Sequence, residues 1–322
     1  MGKKLFLNRL NLLLLIVVIP FFSPLNFIVF AVDQSFPSAV IKLPDNENAI
    51  LVEKKSQTLF LYTFRANDLF VRFQVPCSTG EVSGIKQMAG DKKTPEGVYF
   101  LKDEYEDKYL SPIYGKKAFP TDYPNFIDKK AGKNGSAIWI HGTNKKLKPM
   151  DSNGCIALEN SNVLKLSDYI TLNSTPVIMV EEIDRIDRKI LARQEESITL
   201  MLRQWIKAIE KGSYHDYLSF YSSEYLPDIS WWEQWREIRK LADNLGSGLK
   251  VKSDRTGIYY HDRVFVVLFD CFLIFENNQT LLGQRKLFLE NQNSRYKIIG
   301  DIFQNIKIPL IAAAKTLVRP GL

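Results

Sequence analysis

Residues 136–158 read "SAIWIHGTNKKLKPMDSNGCIAL", and the rest of the chain is interpreted outward from this stretch. Ser136–Gly142 has the β-branched and aromatic content of a strand, here ending at His141. Ser152–Leu158 opens with turn residues, and Gly154 there lets the backbone approach a bound group closely. The polar loop between them brings the turn back beside the strand end, where the Cys155 thiol and the His141 ring meet. A thiolate stabilised by an adjacent imidazolium attacks an acyl carbon, and backbone N–H groups around Gly154 and Cys155 hold the resulting oxyanion. The bland alternative is a satisfied structural histidine beside an ordinary turn.

From Ala49 to about Val180 the chain breaks into short β-branched and aromatic segments, such as "AILVEKKSQTLFLYTF", "LFVRFQVPCSTG" and "TPVIMVEE". Leu59 and Leu61 alternate with Phe60 and Tyr62, and breaks fall at Gly80, Pro95 and Gly97. The pattern predicts an all-β sandwich or barrel. A charged segment follows with Ile198, Met201, Leu202, Trp205 and Ile209 at helical spacing. The last third holds one more aromatic helix, "SWWEQWREIRKLADNL", then three strand-like runs beginning near Leu249, Arg263 and Leu281. Helices followed by an antiparallel sheet predict an α+β domain. Trp205, Tyr217, Trp231, Trp232 and Trp235 are expected as core rather than as a ligand box, and His215 and His261 as structural or surface residues.

The chain has 322 residues, 45% hydrophobic and 25% charged, which suits a globular protein of about two domains. Its first thirty residues are set aside as a leader: Lys3, Lys4 and Arg9, an apolar run, then "VFA" at Val29–Ala31. This predicts cleavage after Ala31 and delivery to the periplasm or cell envelope. An uncleaved anchor competes, though Pro20, Pro24 and Asn26 argue against a spanning helix. The net charge is +7, three of the cations lying in the leader. So mild an excess fits work near an anionic polymer or a membrane surface and excludes a nucleic-acid partner. Cys77, Cys155 and Cys271 make an odd count, so an exported chain keeps a thiol unpaired. Cys271 sits in "VFVVLFDCFLIF" as a buried small hydrophobe, whereas for Cys155 a functional role competes with a disulfide to Cys77.

His141-Gly142-Thr143, the loop, Ser152-Asn153-Gly154-Cys155-Ile156, and the preceding "GDKKTPEGVYFL" at Gly90–Leu101 resemble the catalytic domain of the L,D-transpeptidase (YkuD-type) family of peptidoglycan enzymes. The resemblance covers residues 49–182 and implies a mainly β catalytic domain, a β-sandwich. It implies acyl transfer through a cysteine thioester, resolved by an amine or by water. Cys155 is then the nucleophile, His141 the general base and acid, and Gly142 the carbonyl that orients the imidazole. Ser152, Asn153 and Gly154 are expected at the oxyanion and substrate side. Two positions depart from the family: Asn153 stands where many members have His, and Ala157 where many have Arg. Without that Arg a bidentate carboxylate clamp is gone, and Lys145, Lys146 and Lys148 become candidates for the role. Thr94-Pro95-Glu96-Gly97 is expected as framework.

The later part resembles the NTF2-like domain that follows the transpeptidase domain in some members, an α+β fold with an apolar pocket open to a glycan or peptide ligand. The implied organisation is a leader at 1–31, a linker at 32–48, the catalytic domain at 49–182, a connecting helix at 183–197, an NTF2-like domain at 198–304 and a tail at 305–322. The tail is apolar enough to pack on the body or touch a membrane. The function implied is modification of peptidoglycan stem peptides in cell-wall organisation and cell shape, as transpeptidase, carboxypeptidase or hydrolase of a lipoprotein link. A catalytically weak peptidoglycan-binding scaffold is the alternative. The chemistry needs no metal or organic cofactor, and the sequence has no metal-ligand cluster.

Overall fold

A computed structural model describes residues 35–66, 68–244 and 248–318; the expected leader and its cleavage position lie outside them. The elements run β1 (Ser35–Pro37), β2 (Val40–Lys42), β3 (Asn48–Glu53), β4 (Thr58–Arg65), β5 (Asp68–Pro76), β6 (Gly97–Phe100), β7 (Tyr105–Glu106), β8 (Lys117–Pro120) and α1 (Phe126–Lys130). There follow β9 (Trp139–Thr143), β10 (Ile156–Glu159), α2 (Asn160–Ser167), β11 (Pro176–Val180), β12 (Arg185–Asp187), α3 (Arg188–Lys211), α4 (Tyr214–Leu218) and α5 (Ile229–Asn244). The chain then forms β13 (Leu249–His261), β14 (Val264–Phe275), β15 (Asn278–Gln292), β16 (Arg295–Ile306) and α6 (Leu310–Val318).

Three sheets and a helical layer stack in order. A four-stranded sheet, β10-β9-β8-β7, faces a five-stranded sheet, β5-β4-β3-β11-β6. The core between them includes Ile50, Val52, Leu59, Leu61, Ile140, Ile156 and Leu158, so the expected sandwich is present. The opposite face of the five-stranded sheet, with Ala49, Leu51, Tyr62 and Phe100, packs on Tyr259, Val266, Leu268 and Phe288 of the later sheet. That sheet, β16-β15-β14-β13-β2, turns its other face, with Val267, Phe269 and Leu287, to Trp205, Trp235 and neighbouring helical residues. Strands covered on both faces lose the need for polar alternation, which accounts for the apolar run in β14, broken only by Asp270.

The sequence-based boundaries change in four places. The segment expected as a linker folds: β1 pairs with β12, and β2 joins the edge of the later sheet through β13. The connecting helix is not separate, because α3 continues unbroken from Arg188, capped by the Asp187 side chain. The third strand-like run is two strands: Asn293 and Ser294, both at positive φ, make the turn from β15 to β16. In the tail, Leu310, Ala313 and Ala314 of α6 are buried in the helical core. No helix of the described residues is long and apolar enough to cross a membrane.

Polar ties cross the layer between the two larger sheets. Lys286, 1% exposed, pairs with Leu268 in the β14–β15 ladder, so it faces the catalytic domain. Its ammonium reaches the Asp122 carboxylate at 2.7 Å and lies 4.8 Å from the Phe100 ring centroid. Glu96 is held down to about 2 by the His261 ring, 3.9 Å from its carboxylate, and by its ion pair with Lys54 at 2.6 Å, against the opposing effect of burial. His261 is thus a structural link to the Thr94–Gly97 motif. Truncating Asp122 to Ala strands a buried ammonium, so urea unfolding should show a loss of about 3–5 kcal/mol. Lys286→Met, which leaves only a part-exposed carboxylate, should cost clearly less. Equal losses would contradict the account of Lys286 as a desolvated charge.

Candidate active site

Strands β9 and β10 run parallel, with Ala157 opposite His141 and Ile156 opposite Ile140. Side chains alternate along a strand, so Cys155, Ala157 and His141 share one face while Ile140, Ile156 and Leu158 enter the core. His141, Ala157 and Cys155 accordingly line one cavity of about 290 Å³. A strand–loop–strand connection with this register sets thiol and imidazole on the lining of one cleft.

Each partner is held from behind. The His141 Nδ1 lies 2.6 Å from the Gly142 carbonyl oxygen; with Nδ1–H donating, Nε2 is left as the base. The Tyr114 ring meets the imidazole edge-on at 5.0 Å. Gly142 has no room for a side chain, because one would come within 2.3 Å of Asn160 Oδ1. Asn160 in turn accepts the Lys116 N–H and donates to Asn144 Oδ1, tying the start of α2 to the loop after β9.

The turn carrying Cys155 is braced by the chain itself. Ser152 Oγ donates to the Cys155 carbonyl at 2.7 Å and accepts the Gly154 N–H at 3.1 Å. Gly154 has φ 118°, and a side chain there would meet the Lys93 carbonyl oxygen at 2.7 Å, so glycine is required on both counts. Its carbonyl accepts from Thr94 Oγ1, which itself accepts the Gly80 N–H. The Thr94–Gly97 motif is thus the support under the turn. Ser78 exchanges both backbone hydrogen bonds with Ala157, fixing the outer edge of β10.

One expectation is corrected here. The close approach that Gly154 permits is to Lys93 of its own chain, and its N–H is already taken by Ser152. Burial works against a stored thiolate–imidazolium pair. Burial pushes the Cys155 thiol above its ordinary 9.0, outweighing the downward pulls of the Trp139 backbone and the Lys86 charge. Burial likewise pushes His141 below its usual 6.5, outweighing the Gly142 hydrogen bond. Both groups are therefore neutral near pH 7, and Sγ donates to the Ala137 carbonyl at 3.3 Å.

Asn153 is exposed and lines the cavity with Ser152, and so do Lys145, Lys146 and Lys148. The cations proposed to stand in for the missing arginine therefore border the same cleft as Ala157. All three cysteines are free; Cys77 and Cys271 are buried, their thiols pushed up to about 12 and about 11 by desolvation. Sequence reasoning missed Asn160, Ser78 and Lys86. Lys86, buried, reaches Asp91 at 2.6 Å, and Asp91 also accepts the Gln87, Met88 and Lys93 N–H groups. None of these lies in a segment whose spacing singles it out; only the fold brings them to the cleft.

Residues 47–179 match the model of YkuD, the L,D-transpeptidase catalytic domain. The matched part, which holds both His141 and Cys155, is similar to that catalytic domain. Among solved structures it is similar to Bd1075 of Bdellovibrio bacteriovorus, with 23% identity and a TM-score of 0.69 over 84% of this chain and 98% of that one. It is also similar to the helical cell shape determining protein Pgp2 of Campylobacter jejuni, with 26% identity and a TM-score of 0.63 over 83% and 95%. No curated protein matches the chain. The likeness to these two structures spans the catalytic domain and the α+β domain together.

The neutral pair sets a pH signature. Because burial pushes the Cys155 thiol up, iodoacetamide labelling of Cys155 should have its midpoint above that of a free cysteine, about 8.5. A labelling rate already level below pH 7 would mean a stored thiolate and contradict the geometry.

Proposed function

We propose that the protein is an exported enzyme that acts on peptidoglycan stem peptides through a Cys155 thioester, serving cell-wall organisation and cell shape in the periplasm or cell envelope. The observation that carries the reading is the β9–β10 register, which sets Cys155 and His141 on one face of one cleft with Nδ1 tied to the Gly142 carbonyl. His141 Nε2 takes the thiol proton as Sγ leaves the Ala137 carbonyl and attacks the stem carbonyl. The Cys155 N–H is the donor left for the oxyanion, since Ser152 occupies that of Gly154. The protonated imidazole returns its proton to the departing amine, and water or an acceptor amine then releases the thioester. The neutral resting pair suits this sequence, because His141 remains a free base at neutral pH.

Lys145, Lys146 and Lys148 supply the positive field for a stem carboxylate that the family's arginine would otherwise clamp. The C-terminal α+β domain, read as NTF2-like, holds the substrate polymer while the cleft works on its peptide. The cell-shape role of Pgp2, which shares both layers of the fold, supports this reading. A weak scaffold is the competing one, favoured by Ala157, which brings no charged group to the cleft.

Mass spectrometry of a disaccharide-tetrapeptide incubated with residues 32–322 tests the proposal. Loss of one alanine by the substrate alone identifies a carboxypeptidase, and a dimer that has lost one alanine identifies a transpeptidase. Either product should vanish with Cys155→Ala. Replacing the three loop lysines with Ala should raise KM with kcat little changed, as expected for uniform binding. No product from the wild type would favour the scaffold.

A further inference from the structure

Two loops that do not border the cleft are tied around one largely buried ion pair, and one of them reaches the thiol. Lys86, 2% exposed, donates to Asp91 Oδ1 at 2.6 Å and to the Met88 carbonyl at 3.0 Å. Asp91 also collects the N–H groups of Gln87, Met88 and Lys93. Burial raises the Asp91 carboxyl, but the Lys86 ammonium and these three donors together hold it well below the usual carboxylate range. The loop of residues 84–91 is then joined to that of residues 131–137. Asn134 N–H donates to the Gln87 carbonyl at 3.0 Å, and Ala89 N–H donates to Asn134 Oδ1 at 2.9 Å. Gly135 lets the loops close up, since a side chain there would meet Ala89 Cα at 3.3 Å and Lys86 Cε at 3.5 Å.

The second loop ends at Ala137, whose carbonyl takes the Cys155 thiol at 3.3 Å. Ala137 holds φ 58°, a left-handed conformation that a residue with a side chain keeps only where its surroundings dictate it. Those surroundings are the Asn134 ties on one side and, on the other, the Ile138 carbonyl, which accepts the N–H and the hydroxyl of Thr121 at 3.0 and 2.7 Å. The ion pair reaches the nucleophile's turn by a second route as well, because Lys93, whose N–H Asp91 accepts, abuts Gly154.

Stability alone does not call for a charge at position 86. A buried ion pair seldom repays the desolvation of its two ions, and an apolar side chain of similar volume fills such a space as well. What an ammonium adds is a field at the thiol. Against the burial that pushes the Cys155 thiol up, the Trp139 backbone and the Lys86 charge pull it down. The charged groups on the cleft itself, Glu81, Lys145, Lys146, Lys148 and Asp151, are exposed and screened by salt, whereas a buried charge is screened much less. We propose that Lys86 is a positioning residue for the nucleophile: held by Asp91, its ammonium fixes the loop that presents the Ala137 carbonyl to the thiol and stabilises the negative charge left on Sγ when the proton passes to His141 Nε2. The inference deepens the proposed function and rests on its assignment of Cys155 as nucleophile.

The test is the pH dependence of iodoacetamide alkylation at Cys155, followed by peptide mapping so that Cys77 and Cys271 are read separately. Alkylation needs neither a stem peptide nor acyl transfer, so a failure of the thioester chemistry leaves this readout intact. Lys86→Met, which keeps an unbranched side chain and loses the charge, should raise the midpoint by roughly half a pH unit or more. Lys86→Arg should return it to the wild-type position. Asp91→Asn, which keeps an acceptor for the ammonium and removes the opposing charge, should lower it. Loss of a mere loop anchor would move the Met and Asn variants the same way. An unchanged midpoint in Lys86→Met, or shifts of one sign in both variants, would overturn the assignment. Where Lys86→Met leaves Cys77 and Cys271 open to the reagent it has unfolded, and Asp91→Asn then decides alone, a midpoint that does not fall overturning the proposal.

Discussion

The parallel pairing of β9 with β10 is the constraint from which the site follows. Ala157 opposite His141 fixes which side chains point into the core and which into the cleft, and a slip of one residue would bury the thiol and expose Ile156. The register is held at both ends. Ile140, Ile156 and Leu158 anchor it from the core, and the Ser78 bridge to Ala157 anchors it from the edge. The turn before β10 has no freedom of its own, since Ser152, Thr94 and Lys93 occupy or abut the polar backbone groups of Gly154. Cys155 is thereby presented on rigid elements, as thiol chemistry that depends on geometry rather than on a stored thiolate requires.

The layering explains why the two domains behave as one body from Ser35 onward. The five-stranded sheet and the later sheet share the core of Leu51, Phe100, Val266 and Phe288, an interface as apolar as a domain interior. Lys286 and Asp122, with Glu96 and His261, add directional contacts whose removal leaves charge in a dry place. Because Glu96 belongs to the segment whose Thr94 supports the Gly154 carbonyl, docking of the second domain and support of the catalytic turn involve neighbouring residues.

Much of this was legible in the residues. The sandwich, the helix of Ile198 to Ile209 and the placing of His141 and Cys155 on one cleft follow from spacing and turn chemistry, and the Gly142 carbonyl sits where the family resemblance put it. What was illegible depends on long-range packing. Residues 35–48 read as a linker because their strands are only three residues long and find their partners far along the chain. The β15–β16 turn was hidden because no glycine or proline marks it within the polar stretch Glu290–Arg295. The shifts of Cys155 and His141 toward their neutral forms come from burial, which spacing does not report, and Asn160 reaches the site only through the fold. Among the tryptophans, Trp205, Trp232 and Trp235 are the core residues they were read as, while Trp231 is half-buried against a cavity and a guanidinium.

The central claim is that Cys155, alone of the three thiols, forms an acyl bond with His141 as its base. Peptide mapping after exposure to a carbapenem, an acylating β-lactam, tests it most directly. The account predicts one adduct, on the peptide containing Cys155, and its loss when His141 is replaced by Ala. An unmodified Cys155, or an adduct on Cys77 or Cys271, would contradict it.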